Sequence, residues 1–189
     1  EFDNFYSHVP ERVLIILDEA YFEYAQSKED YPDSMTYRYD NVITLRSFSK
    51  AYGLGGIRIG YGFAHNNLIN NLLKVKAPFE PSSLAQVAGL AALDDSDFLF
   101  SSIELNKRGM EYIKKELELL GVDYIPSVTN FITTLWESET KATLLSKNLL
   151  EKGIIVRQLT AFGWPACIRI SIGLEKENER FIESLKQVI

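Results

Sequence analysis

The chain has 189 residues, 46% apolar and 24% charged, with a net charge of −6. That supports a sizeable buried core and excludes a disordered chain. The acidic balance, with no basic run, excludes a general nucleic-acid surface. Cys167 is the single cysteine, which excludes an internal disulfide framework and fits a reducing cytoplasm. With His8 and His65 far apart, no metal site is expected either. No segment approaches the length of a membrane helix and no signal pattern opens the chain.

In chain order, residues 1–12 read as the end of a surface helix and a loop. Residues 13–17 (Val-Leu-Ile-Ile-Leu) and 42–45 (Val-Ile-Thr-Leu) are short, β-branched-rich runs bounded by polar residues, as fully buried strands are. A parallel strand needs partners and helices on both faces, so an unpartnered first strand predicts that part of a larger domain lies outside this chain. Residues 23–41 form a polar, tyrosine-rich connection with room for a short helix. Residues 57–63 read as a third, glycine-broken strand carrying Arg58. A helix is expected over 66–76 and a buried one over 82–93, where the side chains are small and apolar. A long helix over about 96–120 follows, with apolar residues at three- and four-residue steps and Gly121 as its cap. Beyond it come a strand (130–136), a helix (141–152) ended by Gly153, two strands (154–159 and 167–172) and a last helix (175–188). The expected organisation is therefore a first α/β region, 1–93, and a small α+β region, 94–189.

Chemistry concentrates at the ends of the first two strands. Asp18 ends the first, where ligands bind in open α/β sheets, although a lone acid there serves equally as a cap. Glu19 reads as solvated or structural. Lys50 lies in a small-residue turn after the second strand, with hydroxyls on Ser47 and Ser49, and Gly53, Gly55 and Gly56 behind it. The glycines match neither the dinucleotide fingerprint nor a phosphate-binding P-loop. On an apolar strand, Arg58 would need an anion such as a phosphate. A lysine, an isolated acid, two hydroxyls and an arginine suit pyridoxal 5'-phosphate (PLP), with its aldehyde, ring nitrogen and phosphate. Arg157 and Arg169 lie in the later strands, either as outward charges on a sheet edge or as readers of a substrate with two anionic groups.

Across nearly its whole length the sequence resembles the fold-type-I, class-II aminotransferases, and within them the branch acting on histidinol phosphate. The residues that carry the resemblance are Leu17-Asp18-Glu19-Ala20-Tyr21, the run Arg46-Ser47-Phe48-Ser49-Lys50-Ala51-Tyr52-Gly53-Leu54-Gly55-Gly56-Ile57-Arg58-Ile59-Gly60-Tyr61, and the strands around Arg157 and Arg169. The middle run is the most specific of these.

The resemblance implies the C-terminal part of a PLP-binding large domain followed by a small α+β domain. It makes Lys50 the Schiff-base lysine, Asp18 the partner of the ring nitrogen and Tyr21 the phenol bonded to the ring oxygen. Ser47, Ser49 and Arg58 would hold the phosphate. Arg169 would bind the α-carboxylate of glutamate or 2-oxoglutarate, and Arg157 the phosphate of histidinol phosphate. It further implies ping-pong transamination by a homodimer. The family's glycine-rich phosphate segment, ring-stacking aromatic, asparagine and partner-subunit tyrosine have no counterpart among these residues, so the isolated chain is expected to be inactive. Competing readings are an aromatic aminotransferase, a threonine-phosphate decarboxylase, and a non-catalytic fragment of the same fold.

Overall fold

The computed structural model describes residues 1–189 in two units, Glu1–Leu99 and Phe100–Ile189, each built on its own sheet. The first unit opens with α1 (Phe2–Tyr6), then β1 (Ile15–Asp18), α2 (Phe22–Ala25), β2 (Val42–Ser47) and β3 (Gly60–Ala64). Helices α3 (Asn66–Val75) and α4 (Ser83–Asp94) follow. The sheet order is β1-β2-β3, with β1 parallel and β3 antiparallel to the central β2.

Register sorts the side chains by face, because residues directly opposite each other share a side of the sheet. Ile15 and Leu17 of β1 align with Val42 and Thr44 of β2, and Thr44 and Arg46 align with Phe63 and Tyr61 of β3. Asp18 aligns with Leu45 on the opposite face. Val42, Thr44 and Arg46 are all buried.

Three expectations need correction. The first strand begins at Ile15 rather than Val13 and is not buried on both faces: Ile15 is 8% exposed and Ile16 59%. It is an edge strand in this sheet, so its alternation shows. The third strand starts at Gly60 rather than Ile57. A Cβ at Gly60 would stand 2.8 Å from the Arg46 carbonyl oxygen, so this first rung of the ladder admits only glycine. Helix α4 buries only Ala85 and Gly89, while Leu84, Val87, Leu90 and Leu93 are exposed. Its apolar composition marks a surface helix here, not a buried one.

Helix α5 (Ser96–Leu119) crosses the division between the units. The second unit continues with β4 (Tyr124–Ile125), β5 (Phe131–Leu135), α6 (Glu139–Glu151), β6 (Arg157–Leu159), β7 (Trp164–Ser171) and α7 (Glu175–Lys186). Its sheet runs β4-β5-β7-β6, antiparallel throughout. The helical spacing of Ile113 and Leu117 on α5, and of Leu145 and Leu149 on α6, directs them into one core with Ile132, Ile168, Phe181, Ile182 and Leu185. Each such fully buried side chain stabilises by about 1.5–3 kcal/mol. Gly121 and Gly153 end α5 and α6 at φ of +67° and +75°, where a side chain would be strained. Ser138 caps α6 by accepting the Lys141 N–H at 3.2 Å.

Candidate active site

Lys50 is held by a turn that grows out of β2. The Ser47 hydroxyl accepts the Ser49 N–H at 3.0 Å, and the Phe48 and Lys50 carbonyls accept the Leu54 and Gly53 N–H groups, each at 2.9 Å. Buried Phe48 and Ala51 anchor the turn on either side of Lys50, with the Phe48 ring packed on Tyr52 and Tyr61. The lysine is half-buried, and its Nζ lies 5.2 Å from the centre of the Tyr21 ring. Tyr21 follows β1 closely and Asp18 is the last residue of that strand. The Asp18 Oδ1 accepts the Ala20 N–H at 3.1 Å, and no cation pairs with the carboxylate.

Arg58 departs from expectation. It lies in the turn before β3 rather than on a strand, it is exposed, and its backbone is left-handed at φ +59°. A non-glycine residue there is strained, and the guanidinium donates to the Gly55 carbonyl at 2.5 Å. The burial argument for a phosphate partner therefore fails. A hydrated guanidinium beside the Lys50 turn remains available to an anion.

Beneath these residues lies a charge cluster in which Glu19, expected to be solvated or structural, is structural, and in which Arg46 and Asp33 had no expected role. Buried Arg46 donates to the Glu19 Oε2 from Nε (3.0 Å) and Nη2 (2.9 Å), and from Nη2 to the Asp33 Oδ1 (2.7 Å). Its guanidinium lies 3.3 Å from the centre of the Phe22 ring. Burial works against the charge on Arg46, yet its two carboxylate partners raise its pKa. Burial acts against ionised Asp33 too, but the Met35 N–H and Arg46 hold it below the ordinary carboxylate range. Next to this cluster Glu23 is buried and its Oε2 has no hydrogen-bond partner; burial pushes its pKa up. Burial, then the Glu23 charge, pushes Tyr52 up to about 12. The sequence carries only half of a signal for the cluster: a guanidinium in a β-branched strand needs a carboxylate, but nothing local says which one.

In the second unit Arg157 and Arg169 stand directly opposite each other in the β6–β7 ladder, and so share a face of the sheet. Arg157 is exposed and Arg169 half-buried, its guanidinium 5.1 Å from the centre of the Phe131 ring. Neither forms an ion pair with a carboxylate.

The first unit thus brings an amine, a phenol, a carboxylate, two hydroxyls and a guanidinium to the ends of adjacent strands, and the second pairs two arginines. The chain belongs to the aminotransferase class I and II family, whose model matches residues 1–185. It is similar to the histidinol-phosphate aminotransferase of Geobacillus sp. at 44% identity and to one from Carboxydothermus hydrogenoformans at 40%. Both matches cover all of this chain and 52% of the relative. The crystal structure of histidinol-phosphate aminotransferase from Sinorhizobium meliloti, in complex with pyridoxal-5'-phosphate, superposes with a TM-score of 0.88 at 31% identity. That match covers 98% of this chain and 51% of that one. The chain spans about half the length of the relatives it matches.

Proposed function

We propose that this chain is the C-terminal part of a PLP-dependent aminotransferase that acts on histidinol phosphate with 2-oxoglutarate. One observation carries the reading: Lys50, with the Tyr21 ring beside it, follows β2 while Asp18 ends the neighbouring β1, and no carboxylate neutralises the lysine. The donor set fits the cofactor. Lys50 supplies the amine, Asp18 has a carboxylate free of cations, Tyr21 a phenol beside the amine, and Ser47, Ser49 and Arg58 donors for a phosphate. Held at Lys50, PLP would supply an electron sink for the α-carbon's pair of electrons, over two ping-pong half-reactions.

The protein's own groups do the rest. Lys50 would take the α-proton on Nζ and hand it on to the cofactor's carbon, so that the proton moves from substrate to cofactor. Asp18 holds the ring-nitrogen proton by its negative charge. Tyr21 donates to the ring oxygen. Arg169 receives the α-carboxylate common to both substrates, and Arg157 the phosphate. In this reading, unit 1 belongs to the cofactor domain and unit 2 is the small domain. The whole enzyme is a homodimer of the cytoplasm, a state that light scattering of the complete protein tests.

The 40–44% identity to histidinol-phosphate aminotransferases favours that substrate over an aromatic amino acid or threonine phosphate. The test assays the full-length protein with all three as donors to 2-oxoglutarate. Turnover should be fastest with histidinol phosphate and should vanish in Lys50→Ala. Equal rates with phenylalanine, or an active Lys50→Ala enzyme, would reject the proposal.

A further inference from the structure

Glu19 locks onto β2 twice. Its N–H donates to the Leu45 carbonyl at 2.8 Å, one rung past the end of β1, and its carboxylate takes two N–H groups of Arg46. Asp18 immediately precedes Glu19, and Arg46 precedes the Lys50 turn by two residues. The side chains of Arg46 and Asp18 belong to opposite faces of the sheet. The pair therefore lies under the sheet, while Asp18 stands on the other side. Asp33 accepts from the same Nη2 that serves Glu19 and is itself fixed by the Met35 N–H at 2.9 Å.

Stability alone is a poor reason for charges at this place. The side chains of Arg46 and Glu19 are only 4% and 9% exposed, and a buried ion pair is commonly no more stable than well-packed apolar residues of similar size. A planar guanidinium with several fixed N–H directions adds angle and register, which an apolar pair cannot.

We propose that the Glu19–Arg46 pair is a positioning strut that sets the Asp18 carboxylate relative to the Lys50 amine. The inference rests on the functional reading above, in which those two groups hold opposite parts of one cofactor. A strut 1 Å out of place would change how Asp18 meets the ring nitrogen without removing either group.

The test uses the full-length protein loaded with PLP, and two variants. Glu19→Gln keeps the shape and leaves Arg46 with Asp33. The double variant Glu19→Met/Arg46→Leu replaces the pair by apolar residues and leaves half-exposed Asp33 to water. Cofactor trapped on Lys50 by borohydride should stay stoichiometric in both. The pH midpoint of the bound cofactor's visible absorbance should move by about half a unit or more. The rate constant kcat should fall about tenfold while KM for the amino donor changes less than about twofold. The double variant should unfold near the wild-type midpoint and still show the spectral shift, which a merely structural pair would not produce. Wild-type spectral midpoint and kcat in the folded double variant would overturn the strut alone. No cofactor trapped on the unsubstituted protein would overturn the functional reading, and the strut with it.

Discussion

Arg157 and Arg169 face each other across adjacent antiparallel strands, two like charges with no carboxylate between them. Like charges directly opposite in a sheet are destabilising, so this arrangement costs the fold something that a doubly anionic ligand would offset. Arg157→Gln should stabilise the chain slightly, by roughly 0.2–1 kcal/mol in urea unfolding. In the full-length enzyme the same change should raise KM for a phosphorylated donor about tenfold or more, the loss of a charge-assisted contact. KM for 2-oxoglutarate should stay put. Lower stability together with unchanged KM would make Arg157 a structural residue.

Arg58 separates strain from binding. Glycine at its φ of +59° relieves about 1 kcal/mol of left-handed strain, and the freer unfolded chain takes back a similar amount. Arg58→Gly should therefore fold as well as the wild type, while equilibrium dialysis shows PLP binding to the full-length protein weakened at least about tenfold. Unchanged affinity would remove Arg58 from the phosphate site.

Glu23 makes stability depend on pH. Its pKa is raised in the folded state, chiefly by burial, so the folded chain keeps this proton to higher pH than the unfolded one does. Stability from this group is full below the ordinary glutamate range, near about 4.3, and is lost as pH rises toward the folded value. Glu23→Gln carries no such loss. Relative to wild type it should gain on the order of 1 kcal/mol between pH 4 and pH 7, read as the difference of urea midpoints at the two values. An equal difference at both pH values would show that folding does not raise the Glu23 pKa.

Gly109 lies in the middle of α5, where an added Cβ would stand 2.5 Å from the Ile172 Cγ2 and 2.7 Å from the Asn178 Nδ2. Asn178 bonds both the N–H and the carbonyl of Gly173, so it gives way poorly. Gly109→Ala, favourable by helix propensity, should instead destabilise by about 1–3 kcal/mol, a fall of a few degrees in the thermal midpoint. A raised midpoint would mean that α7 yields more easily than its packing implies.

The sequence alone determined the elements whose signal is local. The three- and four-residue spacing on α5, the glycine stops at Gly121 and Gly153, and the β-branched run of β2 all write their structure into neighbouring residues. The Lys50 turn was legible for the same reason, because its hydroxyls and glycines are contiguous with the lysine. Only the tertiary structure decided that Arg58 leaves its strand, since the close approach of Gly60 to the Arg46 carbonyl is a cross-strand contact. Likewise it alone paired Arg157 with Arg169, left one face of α4 open, and gave Glu19 a buried partner 27 residues away. Composition gives a charged residue's cost of burial, but only the packing of distant strands says which opposite charge will meet it.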